Sequence, residues 1–435
     1  MNNQGRLASV PEREDDVARW IIVAAACATL AGCGGGGGAS IPSSSSPSHS
    51  SSPQLPIPQL EFSDRYTLGS LSAPAGQPFF LKTVIGDLDG DGRNDVASFA
   101  NATINGSDVV VLYQDQDGTF HVFISINSIS DLGLTAINDI AIGDLNGDGR
   151  ADLAILGNPL PVTIGNGPQL AVLYQDSNGD LGPPVRYTIT DQSFSLGLRM
   201  AIGDLNSDGR NDLVFSGNPV RVMLQASDGT LGTISDVGAF TTFLGEVHIA
   251  DMDADGRNDI VFQAGDKSIG ILRQVAPGVF SAPPEIYPVV TSYWPSFNTF
   301  AVGDVNGDGK NDVVVVDPGN SGFLNIFLQN GRGTLDPPQL VTVMGNPLFG
   351  IEIADMDKDG RNDIVCDADG QLHVLYQRPD HTFKGSIVYP YPTTAISGSL
   401  SSQALSVGDV TGDGWPDALL SWIDEGFFVL RNTAR

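Results

Sequence analysis

Seven short stretches of this 435-residue chain space oxygen-bearing side chains at positions 1, 3, 5 and 9 of a loop, with glycine at position 6. The first reads Asp87-Leu88-Asp89-Gly90-Asp91-Gly92-Arg93-Asn94-Asp95. Carboxylates at alternate positions of a tight turn bring their oxygens to one side. An all-oxygen donor set in a flexible loop selects a hard divalent cation, Ca2+ ahead of softer metals. Position 7 adds a main-chain carbonyl, and glycine at position 6 takes a bend that a Cβ resists.

The expected donors of the first loop are Asp87, Asp89, Asp91, the carbonyl of Arg93, and Asp95. The second loop offers Asp144, Asn146, Asp148, Arg150 and Asp152; the third, Asp204, Asn206, Asp208, Arg210 and Asp212. The fourth has Asp251, Asp253, Asp255, Arg257 and Asp259, and the fifth Asp304, Asn306, Asp308, Lys310 and Asp312. The sixth carries Asp355, Asp357, Asp359, Arg361 and Asp363. The seventh carries Asp409, Thr411, Asp413, Trp415 and Asp417. Loops one, four and six are the most acidic. The seventh, with Thr411 at position 3 and Pro416 at position 8, is expected to hold a cation most weakly.

The loops also explain the charge. They contain 24 of the 51 acidic residues, and seven bound divalent ions would take the formal charge from −29 to −15. The acidity is thus ligand chemistry rather than a disordered tail. Such a chain is a poor partner for nucleic acid, which needs clustered Lys and Arg. Position 12 excludes a helix–loop–helix calcium site. That motif needs Glu there and flanking helices; these loops carry Ser98, Ile155, Phe215, Phe262, Val315, Cys366 and Leu420.

The flanks read as strands. First aspartates recur at intervals of 57, 60, 47, 53, 51 and 54 residues, a period that marks an array or propeller. Each unit has an apolar strand before the loop, a second after it, and a third such as Leu170-Ala171-Val172-Leu173-Tyr174. A Gly-containing hairpin turn and a fourth strand follow. This predicts an all-β chain, a seven-bladed β-propeller of four-stranded antiparallel blades. The last unit ends at its third strand, near Phe427–Arg431. Leu60–Thr67 resembles a fourth strand, so the N-terminal strand is expected to close the ring. Closure removes exposed sheet edges.

The D-x-[DN]-x-D-G-x-x-D loop, repeated between strands over residues 60–435, resembles the FG-GAP/VCBS repeat family, whose best-known propeller is the head of integrin α subunits. The resemblance implies calcium in the loops and a binding or adhesion role.

Ahead of the repeats, residues 20–30 form an apolar run that ends in Leu30-Ala31-Gly32-Cys33. This resembles the lipobox of bacterial lipoproteins. The resemblance implies a signal peptide over 1–32, lipidation of Cys33, and export to the outer membrane or cell surface. Residues 34–58, rich in Gly, Ser and Pro, cannot bury a core and read as a flexible tether. The propeller is assigned to 59–435.

All metal loops join first to second strands, so they share one face. The opposite face carries longer, more varied connections, where function tends to lie. Tyr293, Trp294 and Phe297 are the strongest candidates there for a protein or glycan partner; Phe194, Tyr389 and Tyr391 are weaker ones. No His/Cys/Ser catalytic constellation is evident, so a non-enzymatic, monomeric scaffold is expected. A lectin is the alternative, and a polysaccharide-active enzyme the third. Cys366 falls on a strand position that is apolar in most units and is expected to be a buried thiol.

Overall fold

A computed structural model describes residues 60–66, 79–102, 106–127, 130–159, 169–189, 198–217, 219–238, 245–265, 267–290, 299–317, 322–343, 348–368, 371–383, 385–391, 405–422 and 426–433. None of these residues lies in a helix. They form seven four-stranded antiparallel sheets and one small two-stranded ribbon. The second sheet is typical: Leu134–Gly143, Asp152–Pro159, Gln169–Leu173 and Val185–Thr188, in chain order from the inside out. The seventh sheet takes three strands from the C-terminal end and its outermost from the N-terminal side. Leu60–Tyr66 pairs with Gly426–Asn432, from Leu60 opposite Asn432 to Tyr66 opposite Phe427. The first strand of each blade lies against the first strand of the next, and Leu405–Gly408 lies against Phe79–Gly86, so the ring is closed. The predicted seven-bladed propeller, with its N-terminal closing strand, is the observed fold.

The strand compositions follow from position in the ring. Second strands such as Asp312–Val316 are buried at every residue, because a neighbouring blade covers each face; a near-continuous Val run is the sequence consequence. Outer strands such as Val185–Thr188 face solvent. The apolar core therefore lies between blades. Met200, Leu213 and Phe215 of the third blade, for example, pack with Leu156, Leu170 and Val172 of the second.

At the inner end of each seam a small residue meets a branched one. Gly86 faces Ile142, Gly143 faces Ile202, and Gly303 faces Ile353. An added Cβ would stand 2.7, 2.7 and 3.0 Å from the isoleucine Cγ2 in these three. Gly203 and Gly408 face Ile249 and Ile85 in the same way. In the two remaining blades the small residue is alanine, and its counterpart is the shorter valine: Ala250 packs in one cluster with Val302, and Ala354 with Val407. Close packing at interior density demands this exchange of one methyl for another.

Five residues before each loop the inner strands change character. Lys82, Asp139, Arg199, Glu246 and Thr299 occupy this position in blades one to five, all buried. Lys82 Nζ donates to Asp139 Oδ1. Asp139 also accepts the N–H groups of Ile140 and Met200, at 2.9 Å each. Arg199 Nη1 donates to the carbonyls of Asn138 and Leu198, at 2.6 and 2.8 Å. Glu246 accepts the N–H of Phe300 at 2.8 Å. Burial lowers the Lys82 pKa against the pull of Asp139, and lowers Arg199 to about 9.

Candidate metal centre

Each acidic loop is folded by its own aspartates. In the second loop Asp144 Oδ1 accepts N–H groups from Asn146, Gly147 and Asp148, at 3.2, 2.6 and 3.2 Å. Its Oδ2 accepts the N–H of Gly149 at 2.8 Å. Short polar side chains that bond the backbone just ahead of them are turn formers, and here they are also the expected ligands. Gly149 sits at position 6 with φ of 84° and open space where a Cβ would be. Its left-handed backbone, rather than crowding, is what calls for glycine.

Position 9 is the most uniform. Asp95 Oδ2 accepts the N–H of Leu88 at 2.7 Å, and Oδ1 accepts that of Gln114 at 2.9 Å. The same pair of bonds recurs at Asp152, Asp212, Asp259, Asp312, Asp363 and Asp417. Each oxygen receives a main-chain N–H, so this aspartate ties the loop to the end of the third strand. Burial pushes the Asp95, Asp152, Asp212 and Asp259 carboxyls up to about 6, and Asp312, Asp363 and Asp417 to about 7, with the N–H bonds pulling the other way.

Position 7 does more than offer a carbonyl. The Arg93 guanidinium pairs with Asp91 and donates from Nε to the carbonyl of Gln114 at 2.9 Å. Arg150, Arg210, Arg257 and Arg361 repeat both contacts. Lys310 pairs with Asp308 at 2.6 Å. In the seventh loop Trp415 cannot do this. Lys358, from the sixth loop, stands 4.8 Å over its ring instead.

Three loops bring carboxylate oxygens within 4.8 Å of one another: Asp87, Asp89 and Asp95; Asp251, Asp253 and Asp255; and Asp355, Asp357 and Asp359. These are the loops with four aspartates. Asp253 Oδ1 is buried without a hydrogen-bond partner, an arrangement that costs free energy unless a cation or donor occupies its lone pairs. Hard oxygen donors, gathered at this spacing with one left unsatisfied, fit a calcium ion. In the other four loops Asn146, Asn206, Asn306 or Thr411 takes position 3.

Cys33, Tyr293, Trp294, Phe297 and Phe194 lie outside the described residues. Tyr389 and Tyr391 are not an exposed aromatic surface: they are 8% and 4% exposed, with Tyr389 bonded to Tyr376 and Tyr391 to Asp367 at 2.6 Å. Cys366 is fully buried, and burial raises its pKa beyond reach of ordinary thiolate chemistry. The buried charges five residues before the loops leave no repeat signal in the sequence, since Lys82, Asp139, Arg199 and Glu246 each occur there in one blade.

The fold and the loops together define a class: closed propellers with one carboxylate-rich loop between the inner two strands of each blade. Within that class the chain belongs to the FG-GAP-like repeat family, whose model matches residues 87–155, 204–262, 251–315, 304–366 and 355–420. Human integrin alpha-IIb is 28% identical over 155 residues. That match covers 28% of this chain and 14% of the integrin, a small part of its length. Among solved structures, an Agrocybe aegerita lectin that recognises non-reducing terminal N-acetylglucosamine superposes with a TM-score of 0.51 at 21% identity, over 74% of this chain and 82% of the lectin. The rhamnogalacturonan lyase YesW gives 0.50 at 16% identity, over 87% and 76%. BBS1N, in its complex with ARL6DN, gives 0.53 at 12% identity, over 86% and 98%. At these identities the three structures are alike in fold.

Proposed function

We propose that the protein is a calcium-stabilised binding scaffold whose loops hold up to seven Ca2+ ions. The observation that carries this reading is the gathering of carboxylate oxygens in loops one, four and six, with Asp253 Oδ1 buried and unsatisfied. Asp251, Asp253 and Asp255 would hold the ion in the fourth loop, and the corresponding residues in the others. The ion supplies positive charge between carboxylates that otherwise repel, and so strengthens the inner hairpin of every blade. Ligand binding to the folded chain alone stabilises it by mass action.

Calorimetric titration of the chelator-treated chain with Ca2+ tests this. Saturable binding with a rise in Tm is expected, and the rise grows with Ca2+ concentration. An unchanged Tm and no binding heat would overturn the reading.

The loop face is taken up by this structural chemistry, so the partner belongs on the opposite face, where Tyr293, Trp294 and Phe297 lie in sequence. A lipid anchor at Cys33 and the 34–58 tether would present that face outside the cell as an adhesion module. Incorporation of labelled palmitate that is lost in Cys33→Ser tests the anchor; labelling that persists in the variant would refute it. A glycan partner is the second reading, favoured by the N-acetylglucosamine-recognising lectin of the same fold. Glycan-array binding separates it from a protein partner.

A further inference from the structure

We propose that each acidic loop is completed by the blade that follows it around the ring, so that residues positioning one loop's cation ligands lie in the next blade's sequence. This rests on the calcium reading above and adds to it. A loop of nine residues would then not be a self-contained site.

Two contacts carry the inference. The first is an amide laid across every seam. In four blades the asparagine at position 8 turns away from its own loop and donates to the main-chain carbonyl at position 1 of the preceding one. Asn94 reaches Asp409, Asn258 reaches Asp204, Asn311 reaches Asp251, and Asn362 reaches Asp304, at 2.9, 2.9, 3.0 and 3.0 Å. The second blade has Ala151 at position 8, which has no amide. There Gln175, at the end of the third strand, donates to the carbonyl of Asp87 at 3.1 Å. In the third blade Gln225 does the same for Asp144 at 3.2 Å, although Asn211 stands at position 8. The seventh blade has Pro416 at position 8, and Asn432 reaches the carbonyl of Met356, next to Asp355, at 2.7 Å. Two positions, loop position 8 and the end of the third strand, thus supply an amide to the first or second carbonyl of the preceding loop at all seven seams.

The second contact falls on position 3. The hairpin turn between the third and fourth strands of one blade rests on the loop of the blade before it. A Cβ at Gly179 would stand 2.0 Å from the carbonyl oxygen of Asp89, and one at Gly229 would stand 2.2 Å from that of Asn146. At Gly333 it would stand 2.6 Å from Asp253 Cβ. The neighbouring blade therefore fixes the backbone at positions 1 and 3, the origins of two of the ligand side chains. Groups that hold metal ligands in place typically change affinity by an order of magnitude or more when removed.

The test exploits the mismatch between sequence and site. Asn311 belongs to the fifth loop by sequence but bonds the fourth. Hydrogen exchange of the full-length chain, followed by mass spectrometry across a Ca2+ series, reads each loop separately. In Asn311→Ala the Ca2+ midpoint for protection of 251–259 is expected to rise roughly tenfold, while that of 304–312 stays at the parent value. Asn362→Ala should shift 304–312 and leave 355–363 unmoved, which keeps the test intact if one variant fails to fold. A shift confined to the mutated residue's own loop, or no shift in either loop, overturns the proposal while leaving the calcium reading standing. A parent chain with no Ca2+-dependent protection in any loop sinks both.

Discussion

The two ends of the inner strands solve one problem in opposite ways. At the loop end all seven seams use a shared plan: an aspartate tied to the third strand and an amide crossing to the previous loop. Five residues earlier the first five blades carry five different residues. Lys82 pairs with Asp139, Arg199 holds the carbonyl of Asn138, and Glu246 caps the N–H of Phe300; Ser406, three residues before the seventh loop, donates to the carbonyl of Thr83. The uniform end can be built by repetition, because each blade needs the same hairpin. The irregular end cannot, because like charges repeated around a narrow axis would repel. Cations and carboxylates must alternate there, and alternation distinguishes one blade from another.

The largest effect is expected where the irregular end is broken. Lys82 and Asp139 are both fully buried. Lys82→Met leaves a buried carboxylate without its cation, which should cost about 3–5 kcal/mol in urea unfolding. A cost below about 1 kcal/mol would mean that the two N–H groups on Asp139 already satisfy it.

A smaller effect is expected where the small and branched residues meet. Gly303→Ala would press a methyl to 3.0 Å from Ile353 Cγ2 and should cost about 1–3 kcal/mol by overpacking. Adding Ile353→Val removes Cδ1, 3.5 Å from the added methyl, keeps Cγ2, and should recover part of the loss by giving the side chain room to shift. If the double variant is as unstable as the single one, the size-exchange account of these seams is wrong.

The same contrast explains what could be read from sequence. The propeller, the number of blades, the closing strand and the loops were all legible, because sevenfold repetition separates a constraint from an accident. The crossing amides were visible as the recurrent Asn of Arg-Asn-Asp but carried no meaning. Their acceptors lie 54 to 60 residues upstream in three blades and 315 residues downstream in the first, and period analysis does not join side chains across a seam. The axial charges were illegible for the reverse reason. Lys82, Asp139 and Glu246 each look like an isolated polar residue in an apolar strand until closure brings them to one axis. Tyr389 and Tyr391 misled because aromatic residues before a long connection read as exposed, whereas one bonds Tyr376 and the other Asp367.

Glu352 gives the smallest expected effect, and one of opposite sign. It lies on the inner strand of the sixth blade, half-buried, and the charges that act on it are Glu246 of the fourth blade and Lys82 of the first. Burial raises its pKa well above the ordinary 4.5; Glu246 adds to the rise and Lys82 opposes it. An acid whose pKa rises on folding holds its proton more tightly in the folded chain. Its stability contribution is present below the unfolded value and is lost as pH climbs toward the folded one. Glu352→Gln keeps the shape and removes that loss. The variant should therefore melt higher than the parent near about pH 8, with the gap closing as pH falls to about 4.5. A gap that is constant with pH would show that Glu352 does not titrate within the axial ring. A variant less stable at every pH would show instead that Lys82 holds Glu352 ionised, and that the axis has a second ion pair spanning three blades.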